Sequence, residues 1–240
     1  MKNNNKISII LSVLISIIAI IFFIINNKQK GTEIKESNLT TKETIKTESG
    51  NVLIEKSNHF LNILDSDHIL GKKEAPVRVI EYASLSCSHC AEFYSNGFSN
   101  LKPYIDRGDV VFIYRDFPLN GPALAGAVAA ECYYNKVKQS YKYHDFIKTL
   151  FKNQEKWAFS STLMKKLEEI SLVYGVSAEE LKFCIDSEDM KRSIVSEAQE
   201  ASESINIKST PTFLINGEVI NGYSGWSVLE EVIDRKLKNL

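Results

Sequence analysis

Apolar and polar positions follow four patterns along this chain, and each predicts a different element. The first is a block: Ile7 to Ile25 are nineteen consecutive uncharged, mostly apolar residues behind Lys2 and Lys6. At 1.5 Å rise per residue such a run crosses about 30 Å of hydrocarbon, so it predicts an export signal or an anchor. A cleaved signal has an apolar core of roughly 7 to 15 residues and small residues at the cleavage site. This run instead ends in Phe22-Phe-Ile-Ile-Asn-Asn-Lys without an Ala-x-Ala pattern, which favours an uncleaved anchor in residues 1–25. Lys28 and Lys30 follow the run, so charge flanks it on both sides and orients it only weakly. No cysteine follows it closely, so lipid anchoring is not indicated.

The second pattern is polar without period. Residues 26–58 are rich in Lys, Glu, Thr, Ser and Asn, a composition that buries too little apolar surface to order itself. This predicts a linker, and as a flexible coil it spans roughly 30 Å. Leu53, Ile54, Phe60, Leu61 and Leu64 could alternatively form a short N-terminal helix packed on the domain.

The third pattern is the short apolar run, which predicts buried strands. Val77 to Leu85 is one, introduced by Gly71 and Pro76 and interrupted by Arg78 and Glu81; Val110 to Tyr114 is another. Between them Phe93, Gly97, Phe98, Leu101 and Ile105 recur at helical spacing. Pro103 should kink that helix and Gly108 should cap it in the left-handed conformation. The result is a right-handed βαβ unit. Thr212–Ile215, Asn216-Gly217 and Glu218–Ile220 predict a hairpin with a type I′ turn.

The fourth pattern is helical periodicity from Gly121-Pro122 to Ile205. Ala123 to Cys132 is uniformly small and apolar, predicting a buried helix with Pro122 at its first position. Tyr143, Phe146, Ile147, Leu150 and Phe151 mark a second face; Leu163, Leu167 and Ile170 mark a third, closed by Gly175. Ser177-Ala-Glu-Glu180 is a capping box opening a helix with Leu181, Cys184 and Ile185, and Ile194, Ala198, Ala201 and Ile205 line the next. Ser227-Val-Leu-Glu230 reads as another capping box, before a helix bearing Leu229, Ile233 and Leu237. His59, His68 and His144 sit in contexts typical of surface or helix-pairing histidines.

Composition narrows the function. With 29 Lys+Arg against 30 Asp+Glu there is no basic surplus of the kind nucleic-acid binding requires. Arg107-Gly-Asp109 falls on the helix-to-strand turn and is read as structural. Four cysteines change the picture more. Cys87-Ser-His-Cys90 ends the first strand and begins the first helix, and a Cys at a helix N-terminus in such a motif has its thiolate stabilised by free backbone N–H groups and the helix dipole. His89 is expected to favour that thiolate too, while Cys90, one turn further inside, should remain a thiol. A zinc site needs a second ligand pair, yet Cys132 and Cys184 stand alone and far apart, so no metal is expected. Glu81 is either a satisfied edge residue or a buried acid with a raised pKa; its place below Cys87 favours the second.

The strand ending in Cys87-x-His-Cys90, the long helical stretch after it and Thr210-Pro211-Thr-Phe-Leu-Ile-Asn-Gly217 together resemble the DsbA-like thiol:disulfide oxidoreductases of the thioredoxin superfamily, over about residues 59 to 240. The resemblance implies an α/β thioredoxin-like fold with a helical insertion at about 120–209. It implies no cofactor, Cys87 as the attacking thiol and Cys90 as the resolving one. It also implies a cis Pro211 packed on the pair, Thr210 offering backbone to substrate, and Glu81 as a proton carrier beneath the site. Its partners would be reduced or unfolded exported proteins and an integral membrane, quinone-linked reoxidant. Ser88 departs from the pattern, since the strongest oxidants of the group have Pro there, and this leaves the redox potential open. A disulfide-forming domain belongs in an oxidising compartment, so the expected location is the periplasm, tethered to the inner membrane by residues 7–25. In that compartment an even cysteine count favours a structural Cys132–Cys184 bridge over two independent buried thiols. A disulfide isomerase or reductase, or a folding factor with little redox use, is the alternative reading.

Overall fold

The computed structural model describes residues 59–239, so the anchor and linker expected before them, with Leu53 and Ile54, lie outside the described residues. Among the described residues no helix is long and apolar enough to cross a membrane. The strands are β1 (Ile69–Leu70), β2 (Val77–Ala83), β3 (Val110–Asp116), β4 (Thr212–Ile215) and β5 (Glu218–Asn221), in the order β1-β3-β2-β4-β5. β2 and β3 are parallel; the other pairings are antiparallel. The βαβ unit therefore forms the sheet centre and the hairpin one flank. Asn216 and Gly217 both have positive φ, 46° and 84°, as a type I′ turn requires.

The crossover from β2 to β3 is α1 (Ser88–Glu92), a π turn over Phe93–Gly97 and α2 (Phe98–Arg107). The irregularity expected at Pro103 thus falls earlier, and Pro103 lies inside α2. Gly97 explains the placement: a Cβ there would come within 2.5 Å of the Tyr223 hydroxyl and 2.7 Å of the Phe93 ring. π turns of this kind add one residue to a helix and re-aim its side chains. Here Phe93 and Tyr94 are both buried, Phe93 against Phe213 at 4.9 Å and Tyr94 stacked on Phe151 at 4.4 Å. Gly108, at φ 83°, ends α2 in the left-handed conformation.

Six helices lie between β3 and β4: α3 (Gly121–Val137), α4 (Ser140–Lys152), α5 (Gln154–Trp157), α6 (Leu163–Val173), α7 (Ala178–Asp186) and α8 (Glu188–Ile205). Asn120 caps α3 by accepting from Ala123 N–H at 3.0 Å, which makes Pro122 the second helical residue. The Ser177–Glu180 capping box is complete. The Ser227–Glu230 box is not: α9 (Trp226–Lys238) starts two residues earlier than a Ser227 cap would place it, capped by Gly225 without a side-chain bond. Gly225 has φ 121°, a turn conformation that brings the chain into the helix before Ser227, which is then already helical. Cys132 on α3 and Cys184 on α7 are joined by a disulfide with a sequence separation of 52. Closing that loop stabilises the fold by about 4 kcal/mol in the chain-entropy model. Replacing both by alanine should lower the denaturant-derived unfolding free energy by about that amount, and a loss under about 1 kcal/mol would contradict it.

Strand side chains alternate between faces, and two cores follow. Val77, Val79, Ala83, Phe112, Tyr114, Phe213 and Ile215 join the cluster containing the cysteine helix and the insertion. Ile80, Tyr82, Ile113 and Leu214 pack on the other face with Phe60, Ala201 and Ile207. Glu81 shares the face of Val79 and Ala83. It is therefore aimed at the layer that carries Cys87 and Cys90.

His68 and His144 are buried, unlike the exposed His59. His68 Nε2 lies 3.0 Å from a Glu131 oxygen, and His144 Nε2 lies 2.5 Å from the His68 carbonyl. Burial holds His144 down at about 4. His68 borders a polar cavity of about 220 Å³ lined also by Asp67, Arg115, Asp116, Glu131 and Glu197 among others, which includes neither Cys87 nor Cys90.

Candidate active site

Between β2 and α1 the chain turns sharply, with Cys87 N–H donating to the Ser84 carbonyl at 2.9 Å. Cys87 is the N-cap of α1, extended at φ −86° and ψ 124°, with no side-chain cap bond. Its carbonyl accepts the first helical bond, from Ala91 N–H at 3.1 Å. A hydroxyl chain braces the turn from beneath: Ser84 Oγ and Ser86 Oγ are 3.2 Å apart, and Ser86 Oγ donates to Asn120 Oδ1 at 3.0 Å. Asn120 thus caps α3 and ties that helix to the turn.

The two cysteines are free and sit in opposite environments: Cys87 is half-buried and Cys90 fully buried. The Thr210–Pro211 peptide is cis, and Cys87 Sγ donates to the Thr210 carbonyl at 3.3 Å. Cys87 is lowered to about 5, first by the Cys90 thiol that donates to it, then by Thr210 and the backbone N–H groups of Cys90 and His89, against the opposing effect of burial. Thr210 Oγ1 is buried and has no partner while Cys87 is a thiol, so it is free to donate to the thiolate. Cys90 is pushed far up, first by burial, then by its bond to Cys87 and by the nearby Glu81. One sulfur is prepared to carry charge and the other to hold a proton.

Glu81 is fully buried between Tyr114 of β3 and Phe213 of β4 in register, and neither carboxyl oxygen has a hydrogen-bond partner. Burial raises its pKa well above the ordinary carboxyl range and the Cys87 charge adds to this; the Tyr94 hydroxyl works the other way. Tyr94 itself is buried with its hydroxyl unpaired, so the two groups act on each other without closing a hydrogen bond. Glu81 is therefore a neutral acid near the cysteine pair.

His89 is placed differently from expectation. Its imidazole is largely exposed, with Nδ1 3.5 Å from Glu92 Oε2; it is the backbone N–H of His89 that acts on Cys87. In the first turn of a helix, side chains outside the core face project into solvent while the free N–H groups point back at the N-cap. Two residues invisible in the motif also belong to the site: Tyr94, re-aimed by the π turn, and Gln154, whose side-chain amide reaches the turn from the insertion. Their signal lies in tertiary contacts, not in local spacing. Among the described residues no group of three or more His, Cys, Asp or Glu is placed to hold a metal ion.

A parallel βαβ core, an antiparallel hairpin and a Cys-x-x-Cys pair facing a cis-proline define a thioredoxin-fold protein. The family model described as thioredoxin matches residues 64–235, and the chain belongs to that family. Within it the chain is DsbA-like. The crystal structure of Wolbachia pipientis alpha-DsbA1 superposes with a TM-score of 0.70 at 29% identity, covering 76% of this chain and 96% of that one. Disulfide bond formation protein D of Bacillus subtilis is 29% identical over 176 residues, 71% of this chain and 77% of its own length. A Rickettsia typhi relative named for protein-disulfide oxidoreductase activity is 28% identical over 208 residues, 86% of this chain. The chain spans 69% of that relative's length and 61% of its Rickettsia felis counterpart.

Proposed function

We propose that this protein is a thiol:disulfide oxidoreductase that introduces disulfides into exported proteins through Cys87 and Cys90. The observation that carries this reading is the asymmetry of the pair: a half-buried Cys87 surrounded by donors and a buried Cys90 held as a thiol near a neutral acid. In the oxidised protein a substrate thiolate attacks the Cys87 sulfur and the Cys87–Cys90 bond breaks. Cys90 takes the electron pair and receives a proton from Glu81. A second substrate thiolate then attacks the substrate sulfur of the mixed disulfide and expels Cys87 as a thiolate. The substrate has lost two electrons and the protein has gained them. Thr210, beside the cis-proline, is the backbone the substrate chain would pair with, and Pro211 packs the pair's open side.

Location and partners belong to the same proposal. The Cys132–Cys184 bridge supports an oxidising compartment, and with the apolar run at 7–25 it supports a periplasmic site tethered to the inner membrane. A quinone-linked membrane protein would withdraw the two electrons. The test is direct: mix the oxidised protein stoichiometrically with a reduced two-cysteine protein and follow both thiol pools. One substrate disulfide per Cys87–Cys90 pair is expected, and a substrate that stays reduced contradicts the proposal.

Glu81 gives a separate prediction. Glu81→Gln preserves shape and neutrality but removes the proton that Cys90 receives, so mixed-disulfide formation should slow by about 100-fold, the lower end of general acid contributions. Unfolding free energy should not fall, because no buried charge or hydrogen bond is lost. Rapid mixing with a thiol substrate measures the step, and an unchanged rate removes Glu81 from the mechanism.

A further inference from the structure

The short helix that carries Cys87 is poorly secured by its own sequence. It has five residues, no side-chain cap bond, and a π turn immediately behind it. Yet the thiolate depends on where the His89 and Cys90 N–H groups point, and those directions are set by the backbone of the N-cap. Something outside the helix must hold that backbone.

Gln154 meets this need from 67 residues away. Its Nε2 lies 2.9 Å from the Leu85 carbonyl and 2.9 Å from the Cys87 carbonyl, so the two amide hydrogens fork across both sides of the turn. The side chain is only 4% exposed. Its own position is rigid: Gln154 opens α5, whose Trp157 is fully buried and donates its indole N–H to the Leu150 carbonyl at 2.8 Å. Gly126 lets that ring sit close, since a Cβ there would come within 2.6 Å of Trp157 and 3.0 Å of Leu85.

We infer that Gln154 is a positioning residue for the redox reaction, through which the helical insertion sets the thiolate character of Cys87. The inference rests on the Cys87 nucleophile proposed above and goes beyond it. Two physical effects combine. The forked bond fixes the extended N-cap conformation, keeping the His89 and Cys90 N–H groups on the sulfur. It also adds a donor to two carbonyl oxygens of the same turn, that of Leu85 and that of Cys87 beside its helical bond from Ala91, which weakens the negative potential they place on the thiolate. A lower thiolate pKa stabilises the reduced pair and makes the disulfide more oxidising. The insertion is then a working part of the redox centre as well as a cover.

Two substitutions in the full-length protein separate this from a merely structural clip. Gln154→Met keeps length and bulk but has no donor; Gln154→Glu keeps the shape and, when ionised, replaces the donor with negative charge. Thiolate absorbance should show the Cys87 pKa raised by about one unit in the first and by more in the second, above the pH at which the new carboxyl ionises. The glutathione equilibrium of the Cys87–Cys90 pair should move about tenfold toward the disulfide with the methionine variant. If either folded variant loses thermal stability while the Cys87 titration and the equilibrium stay at parental values, the inference is overturned. If the parent itself has no thiol titrating near 5, the assignment of Cys87 fails, and this inference with it.

Discussion

Cys87→Ser should abolish disulfide transfer outright, whereas Cys90→Ser should bind substrates covalently and release them slowly. The difference follows from exposure. Cys87 is the sulfur a substrate can reach, and Cys90, with no exposed surface, can act only on a disulfide already formed at Cys87. Without Cys90 the mixed disulfide loses its internal resolving thiol, so adducts accumulate that a reducing agent removes. Non-reducing electrophoresis after mixing the variant with a disulfide-bearing protein, whose disulfide the Cys87 thiolate attacks with release of one substrate thiol, displays them. Alkylation at pH 5 gives an independent check, because only the thiolate reacts quickly. At that pH Cys87, held at about 5, is the thiol with a thiolate fraction, while Cys90 stays protonated. Faster labelling of Cys90 would reverse the roles.

Acidification should erase the stability that reduction confers on the folded protein. Cys87 is held at about 5 in the folded reduced state, below the ordinary thiol value. A group whose folded pKa is depressed stabilises the fold above its unfolded pKa, and that contribution is lost as pH falls through the folded value. The window therefore runs from about pH 9 down to about pH 5. Because the sulfur is half-buried and partly screened by solvent, the contribution at pH 7 is on the order of 1 to 2 kcal/mol. The oxidised protein has no thiolate and lacks this dependence. Denaturant unfolding of both forms between pH 4 and 9 tests it: the reduced-minus-oxidised difference should grow with pH across that range, and a flat difference contradicts a low thiolate pKa.

Local patterns recovered the elements whose chemistry is local. The Val77 strand running into Cys87-Ser-His-Cys90, the Asn216-Gly217 turn and the Ser177–Glu180 cap each depend on neighbours a few residues apart. β1 escaped because two residues, Ile69 and Leu70, carry no period; its pairing with Ile113 and Phe112 defines it as a strand. The Ser227 box failed because Gly225 set the start of the helix first. The buried His68 and His144 were unreadable for a related reason, since their partners are Glu131 and a distant carbonyl. At the site, the residue types were legible but their directions were not. His89 contributes a backbone N–H in place of its ring, the π turn that buries Tyr94 lies where Tyr223 approaches Gly97, and Gln154 meets the turn from 67 residues along the chain.

The reduction potential of the Cys87–Cys90 pair bears on the whole account, because a stabilised thiolate, a protonated Cys90 and an oxidising function are one thermodynamic statement. Equilibrating the full-length protein with glutathione buffers and counting free thiols at Cys87 and Cys90 measures it. A value at or above about −180 mV, toward the roughly −120 mV of strong oxidants, is the result this account predicts despite Ser88. A value near about −270 mV, that of a thioredoxin-like reductant, would contradict it.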